Sequence, residues 1–385
     1  MFSKSKDEKR LVLVFDIGSS SVGGMFFEAR KDASPRIIQT IRESIKLEKE
    51  INPEKLLHLT TKTLESVAGK LSKVGAGIPT EIFCILSSAF YASQTRTIKF
   101  DKNTPFVFTS KLAETLGQKE VDLFKEENKS HKEKIRVFEY KNIKTLLNGY
   151  TTHAPLNKKA KSIEISMFIS MALESVLHEI EEAISKSFHS KNIEFASFTM
   201  ASFIVARDMF THKEDFILID ITGEITEIAV VKKEALAGSV SYHVGTNFFI
   251  RKTSEFLAVS LEEAKSIFSL YKDGHAEVSL KRKLDPFMNG LVKEWLRKLE
   301  ESLTVLGEGV SIPSDMFVTI DDHLQDFFLE IIKKESFNQH AFSSSKFRIF
   351  FLDTKTLHGF ASFKGETKRD SFLVVESIYL NRFVC

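Results

Sequence analysis

Cysteine is scarce in this sequence, which has only Cys84 and Cys385 among its 385 residues. Two cysteines cannot build a disulfide framework, and such scarcity is typical of proteins that fold in a reducing cytoplasm. A strong charge of either sign is also lacking, because 54 Lys and Arg residues face 52 Asp and Glu residues, a net charge of +2. So small a balance gives no global reason to expect nucleic acid as a partner.

Long apolar runs are absent as well. The run "LVLVF" at residues 11–15 is far too short to span a bilayer, and no later run approaches the roughly 20 residues that a membrane helix needs. The first residues, "MFSKSKDEKR", lack the apolar segment of a signal peptide. We therefore expect a cytoplasmic protein. No linker is rich in Pro or Gly, so the parts of the chain are expected to pack together.

What the sequence does contain is a pair of acidic strand–turn–strand units, one in each half. The first is "VFDIGSSSVGGMFFE" around Asp16, and the second is "FILIDITGEITEIAVV" around Asp220. Small turn residues offer backbone N–H groups to phosphate oxygens, and each Asp can hold a magnesium ion through water. The alternative is that both are ordinary hairpins, each with its Asp accepting hydrogen bonds within the turn. The pair predicts a nucleotide held between two pseudo-equivalent halves.

These segments resemble the phosphate motifs of the bacterial actin-like ATPases, in the group that contains the cell-division protein FtsA and the type IV pilus assembly protein PilM. The segment "SLEEAKSIFSLYKDG" is similar to the helix that follows the second motif. The segment "NGYTTHAPLNKKAKSIEISMFISM" is similar to the end of the inserted SHS2-type (1C) subdomain. The resemblance implies an α/β, actin-like (ribonuclease H-like) fold with two domains, mixed sheets and an inserted α+β subdomain.

The implied boundaries give each of the two domains one insertion. They are domain I at 1–90 and 166–208, the SHS2-type subdomain at 91–165, domain II at 209–240 and 314–385, and helical subdomain IIB at 241–313. We expect the strands of the SHS2-type subdomain to pair with one another and to share few core contacts with the two domains. The final segment, "SFLVVESIYLNRFV", is predicted to form strands.

The resemblance also implies which residues would contact ATP and magnesium. They are Asp16, Gly18, Ser19, Ser20 and Ser21 in the first motif and Asp220, Thr222, Gly223, Thr226 and Gly245 in the second, with Asp16 and Asp220 as the metal-holding pair.

Departures from the group predict that ATP binds weakly. Thr222 stands where the second motif usually has glycine, and Asp321 and Asp322 stand where the adenosine motif has consecutive glycines. A side chain fills the space that glycine leaves open. A carboxylate about 4 Å from a phosphate also costs roughly 4 kcal/mol at an effective dielectric constant near 20. No residue is a convincing catalytic acid or base, so we expect no catalytic residues and at most a weak ATPase.

The resemblance implies a scaffold that binds other proteins and can associate with itself. We favour an FtsA-like adaptor in bacterial cell division, which would link a cytoskeletal filament to membrane-associated partners. The alternatives are a PilM-like platform for type IV pilus assembly and an active actin-like ATPase. Contact with the inner face of the cell membrane is expected only through a partner, because the predicted β-rich tail lacks the basic face of a membrane-binding helix.

Overall fold

The computed structural model describes residues 10–50, 52–128, 133–190, 192–307, 311–334 and 347–384. Most of the segment on which the signal-peptide prediction rests, residues 1–9, and Cys385 lie outside these ranges. Among the described residues, no helix is both long and apolar enough to cross a membrane.

The first main sheet has six strands. They are β1 (Arg10–Ile17), β2 (Ser21–Ala29), β3 (Arg36–Ser44), β4 (Glu81–Leu86), β9 (Ile193–Ser197) and β15 (Ser362–Phe363). Their order is β15-β3-β2-β1-β4-β9. Strands β1 to β3 form an antiparallel meander, and β4 and β9 continue the sheet in parallel. The apolar run of β1 is buried on both faces, as expected for a strand covered by helices on each side.

The second main sheet repeats this arrangement with five strands. They are β10 (Phe216–Ile221), β11 (Thr226–Lys232), β12 (Ala235–Tyr242), β13 (Asp315–Ile320) and β14 (Arg348–Phe351). Their order is β12-β11-β10-β13-β14, again an antiparallel meander followed by two parallel strands. The two halves of the chain therefore share one topology.

Helices cover both faces of each main sheet. The outer face of the first sheet packs on α1 (Pro53–Leu71) and α3 (Glu174–Phe188). Between the two sheets lie α4 (Phe198–Met209) and α9 (Ser371–Val384), in one continuous apolar core. The outer face of the second sheet packs on α5 (Thr246–Leu257), α6 (Leu261–Lys272), α7 (Val278–Leu306) and α8 (Gln325–Lys334).

An inserted unit forms a third, antiparallel sheet with one helix. Its elements are β5 (Ala92–Val107), α2 (Ser110–Glu127), β6 (Ile135–Leu147), β7 (Tyr150–Thr151) and β8 (Lys159–Leu173). The strand order is β5-β8-β6-β7, and α2 packs its apolar side on one face.

The expectation that this unit shares few core contacts with the rest of the molecule is wrong. Glu139 of β6 is buried and accepts hydrogen bonds from the Ser197 backbone N–H (3.1 Å), the Ser197 hydroxyl (2.6 Å) and the Tyr379 hydroxyl (3.2 Å). Phe168 of β8 belongs to the core between the two main sheets. The physical reason is a buried carboxylate that needs donors, and β9 and α9 supply them.

The prediction that the final segment forms strands is also wrong, because Ser371–Val384 is helix α9. A short apolar run is ambiguous between a buried strand and a buried helix. Here Asp370 caps the helix, accepting from the backbone N–H of Leu373 at 3.1 Å. Both α9 and β15 lie with the first sheet, whereas the sequence placed this segment in domain II. The other domain boundaries stay predictions.

Candidate functional site

The first acidic turn joins β1 to β2 and is held by backbone hydrogen bonds. The Gly18 N–H donates to the Ser21 carbonyl (3.1 Å), and the Ile45 N–H donates to the Ser20 carbonyl (2.8 Å). Asp16, two residues before Gly18, is buried beside the turn with a side chain that is 5% exposed. The backbone of this turn is thus fixed from both sides.

Asp16 is paired with an arginine that the sequence did not single out. Arg42 of β3 donates to Asp16 Oδ2 at 2.6 Å, to Ser21 Oγ at 2.9 Å, and to both carboxylate oxygens of Asp370 at 2.5 and 3.0 Å. Gly23 lies between Asp16 and Arg42 in the sheet register. A Cβ at Gly23 would stand 2.7 Å from Arg42 Nη2, so glycine leaves the room for this guanidinium.

Asp16, Arg42, Asp370 and Glu376 form a buried cluster in which burial and the charge of Arg42 determine the pKa values. Burial works against the charged form of Arg42, but the carboxylates of Asp370 and Asp16 outweigh it and raise the arginine pKa well above its ordinary value. Burial likewise opposes ionisation of Asp370, yet the charge and hydrogen bonds of Arg42 lower its pKa. Burial raises the pKa of Asp16, with Arg42 opposing. Burial and the negative charge of Asp16 raise the pKa of Glu376 well above its ordinary value, which favours the protonated carboxyl.

The second acidic turn joins β10 to β11, and no cation among the described residues pairs with its aspartate, Asp220. The Thr222 N–H and hydroxyl both donate to the Ile225 carbonyl, at 3.0 and 2.9 Å. Asp220 is buried, and within the described part of the chain its Oδ1 has no hydrogen-bond partner. Burial raises the pKa of Asp220 well above its ordinary value, and the nearby charges of Glu227, Asp16 and Asp321 raise it further.

The two turns touch each other directly. Ser19 Oγ lies 2.9 Å from Thr222 Oγ1 and accepts from the Glu224 backbone N–H at 2.9 Å. Gly223 packs against Ser20, and a Cβ on Gly223 would stand only 2.5 Å from the Ser20 Cβ. The absence of a side chain at Gly223 therefore allows the second turn to contact the first. The sequence had instead predicted that both turns would contact a nucleotide.

An ion pair between Arg251 and Glu224 lies beside this contact. The Arg251 guanidinium makes two hydrogen bonds to the Glu224 carboxylate, at 2.6 and 2.7 Å, and its Nε donates to the Glu48 carbonyl of the first half at 2.7 Å. Asn247 also donates to Glu224, at 2.8 Å. The second turn is thereby tied to the segment that follows β3.

Most of the predicted site residues converge on the space behind this contact. That space is a cavity of about 10 Å³, enough for about one water molecule. The predicted residues that line it are Asp16, Gly18, Ser20, Ser21, Asp220 and Thr222. Ser19 instead lines a neighbouring cavity of about 20 Å³ that also contacts Glu224 and Arg251.

Two other predicted residues, Thr226 and Gly245, make contacts within the fold and do not line this cavity. Thr226 is fully buried, donates to the Val244 carbonyl at 2.8 Å and accepts from the Trp295 indole N–H at 3.2 Å. Gly245 precedes α5, whose first N–H groups donate to the carbonyls of Thr222 and Gly223 at 2.9 and 2.8 Å. These helix N–H groups are therefore already satisfied by the second turn.

The two aspartates of the expected adenosine motif have different surroundings. Asp321 lines the small cavity, whereas Asp322 Oδ1 accepts from the Ser371 hydroxyl of α9 at 2.8 Å. Of these two aspartates, Asp321 is therefore the one that adds negative charge next to Asp220.

Sequence analysis missed the residues that close the site, chiefly Arg42, Asp370, Glu224 and Arg251. One signal was available: Arg42 interrupts the otherwise strand-like run "RIIQTIRES". In the described ranges, no group of three or more His, Cys, Asp or Glu side chains is arranged to hold a metal ion.

Comparison with known proteins finds similarity in structure only. No protein-family model matches the sequence, and no protein of curated function is similar to it in sequence. The structure of a PilM-PilN type IV pilus biogenesis complex is similar over 96% of this chain and 97% of that chain, with a TM-score of 0.62 and 11% identity. This chain has an actin-like ATPase fold.

Other actin-like structures are similar at lower scores. The ethanolamine utilization protein EutJ of Carboxydothermus hydrogenoformans has a TM-score of 0.43 and 11% identity, over 96% of this chain and 89% of that one. A Bacteroides thetaiotaomicron protein with an actin-like ATPase fold and unknown function has a TM-score of 0.39 and 11% identity, over 91% and 94%. The α/β, actin-like fold that the sequence resemblance implied is confirmed by the similarity to the PilM-PilN structure.

The actin-like cleft of this structure does not fit ATP and magnesium. The cavity between the turns is about the size of one water molecule, and Ser19 and Thr222 occupy the gap where phosphates were expected. Arg42 already neutralises Asp16.

Proposed function

We propose that this chain is a non-enzymatic scaffold with an actin-like fold, held closed by its own side chains rather than by a nucleotide. The observation that carries the proposal is the direct contact of the two turns, with Ser19 bonded to Thr222 and to the Glu224 N–H. A scaffold needs a fixed relation between its halves, and these bonds supply one without a ligand.

The electrostatics of the cluster support the same proposal. A magnesium ion would bring positive charge to Asp16, and in this chain Arg42 brings it instead, at 2.6 Å. An ATPase also needs a carboxylate or similar base positioned to activate water. Asp220 and Glu227 have raised pKa values, mainly through burial, but they lie inside the core with no room for a substrate.

For the biological setting, we place the pilus alternative ahead of the cell-division one. The similar structure is a PilM-PilN type IV pilus biogenesis complex, matched along nearly the full length of both chains. By this proposal the chain binds a protein partner in an assembly of that kind. The features that favour cell division, the overall length and "SLYKDG", rest on sequence resemblance alone.

Thermal unfolding in the presence of ATP and magnesium tests the non-enzymatic part. A ligand at about 1,000 times its Kd stabilises a protein by about 4 kcal/mol, so about 1 mM ATP would reveal a Kd near 1 µM. We expect no shift in Tm beyond that given by magnesium with an inert salt of equal ionic strength. A clear shift together with steady phosphate release would establish the ATPase alternative.

Affinity purification from the native cell tests the partner. We expect pilus-assembly proteins to co-purify with the tagged chain and to rebind it when purified. Recovery and rebinding of a division-filament protein would favour the FtsA-like adaptor instead.

A further inference from the structure

The far end of the inserted sheet forms a surface of its own, which we call the distal tip and define as residues 102–107 and 148–161. The end of β5 pairs there with the start of β8, with Val107 opposite Lys159. The Asn157 N–H donates to the Phe108 carbonyl at 2.7 Å, which fastens the loop to β5. Gly149 has φ +82° and open space around it, so the turn points into solvent.

Charge on the distal tip is of one sign. The tip contains Lys102, Lys158, Lys159 and Lys161 and no Asp or Glu, with the exposed Asp101 adjoining it, in a protein that is nearly neutral overall. All four lysines are exposed, and none has a salt bridge to another described residue. Lysines without acidic partners leave a local positive potential that attracts anions.

Apolar side chains project from the same surface. Tyr150 is 79% exposed, Leu156 is 48% exposed and Val107 is 41% exposed. Three exposed apolar side chains and four exposed lysines thus lie at the same end of the inserted sheet.

We propose that the distal tip docks directly on an anionic lipid surface, with its lysines at the headgroups and Tyr150 and Leu156 in the interfacial layer. Tyrosine and lysine both place an apolar body towards lipid and a polar end towards water. The proposal goes beyond the scaffold function, and it replaces the expectation that membrane contact runs only through a partner.

A lipid surface fits the tip better than an acidic peptide does. Bidentate recognition of a peptide carboxylate or phosphate uses the planar fork of arginine, and the tip contains lysine but no arginine. Point charges on flexible stems are suited to a fluid layer of headgroups, where no fixed geometry is required. Apolar side chains that project from a turn can enter such a layer without a groove.

Binding to vesicles tests the proposal on the full chain. Co-sedimentation is measured with neutral phosphatidylcholine vesicles and with vesicles that contain about 30% phosphatidylserine. We expect binding to the anionic vesicles only, and its loss when salt rises from about 50 to about 500 mM, since screening shortens the range of the attraction. Each lysine near the surface is worth about fivefold in partitioning, the equivalent of ~1 kcal/mol.

Charge reversal of three lysines separates the tip from the rest of the surface. Lys158→Glu, Lys159→Glu and Lys161→Glu together should weaken partitioning by about 100-fold or more. The matched control, Lys31→Glu, Lys62→Glu and Lys73→Glu, changes the net charge equally at exposed lysines that have no salt bridge to described residues, and it should retain most of the binding. Tyr150→Ser with Leu156→Ser keeps the charge and should weaken binding about tenfold, the worth of two partly buried apolar side chains.

Three results would overturn the proposal. The first is no binding of the unaltered protein to anionic vesicles at low salt. The second is an equal loss in the control variant. The third is that a polyglutamate peptide or single-stranded DNA binds the tip and anionic vesicles do not, which would make the tip a site for acidic proteins or for nucleic acid. Circular dichroism melts confirm that each variant is folded before its binding is compared.

Discussion

The two acidic turns occupy equivalent places in two sheets of one topology, yet only the aspartate of the first turn is paired with a cation among the described residues. In the first sheet, a row across three neighbouring strands reads Asp16, Gly23, Arg42. In the second sheet, the equivalent row reads Asp220, Glu227, Ser241. The first row contains its own counter-charge, whereas the second holds two buried acids and no cation.

This difference shows that a turn motif does not decide the state of its aspartate. Arg42 opposes the rise in the pKa of Asp16, while Glu227 adds to the rise in the pKa of Asp220. Glu227 is itself buried, with its pKa raised by burial and opposed by hydrogen bonds from Thr199 and Tyr91. The neighbouring strands therefore act differently on the two aspartates, because Arg42 limits the rise in the pKa of Asp16 and Glu227 adds to the rise in that of Asp220.

The largest expected effect comes from removing the counter-charge of the first row. Arg42→Met leaves Asp16 and Asp370 buried without their cation, and breaking a buried ion pair in this way costs about 3–5 kcal/mol. Urea unfolding measures the loss. The control is Arg36→Met, since Arg36 is 3.7 Å from Glu28 and its side chain is 37% exposed, and such surface pairs are worth about 1 kcal/mol or less. Equal losses in the two variants would mean that Arg42 is not the central cation.

A smaller effect is expected from cutting the bond between the two turns. Ser19→Ala removes the hydroxyl that joins Thr222 to the Glu224 N–H, leaving that buried N–H without this acceptor at a cost of about 1–3 kcal/mol. The same unfolding measurement applies. Ser66→Ala is the control, because it removes a hydroxyl that also makes a hydrogen bond, to the Glu43 carboxylate at 3.1 Å, but at an exposed site. A Ser19→Ala protein as stable as its control would remove this bond as the basis of the closed state.

The smallest effect, opposite in sign, is expected in the second row. A carboxyl with a higher pKa in the folded chain binds more protons when folded, so its contribution to the free energy of unfolding falls as pH rises from its ordinary pKa of 3.8 through the raised pKa. Asp220→Asn removes the contribution of this carboxyl to the dependence of the free energy of unfolding on pH. The variant should be more stable than the unaltered protein above neutral pH by about 1 kcal/mol, a typical size for a single substitution.

The matched variant Asp16→Asn should instead lose stability, because it removes one partner of the buried Arg42. Unfolding between pH 5 and pH 8 compares the two variants. If both variants shift stability in the same direction, the two rows are electrostatically alike and the comparison fails.

The sequence supported the fold more strongly than the site. The paired acidic motifs were visible because strand–turn–strand patterns are local, and they led to the actin-like fold that the structure has. The final segment was assigned to strands because an apolar run does not reveal its own period. Its helix α9 then brings Asp370 to Arg42 across 328 residues of chain, a contact that no local pattern contains.

The sequence by itself determined the two strand–turn–strand units, the place of Asp16 and Asp220 at the strand ends, and the small residues that make the turns tight. Only the tertiary structure decided what lies between the turns. The packing of α9 against the first sheet buries Arg42 between two carboxylates, and the approach of Gly223 to Ser20 leaves space for about one water molecule. The physical reason is that propensity acts on neighbours in the chain, whereas burial and charge pairing depend on residues that only folding brings together.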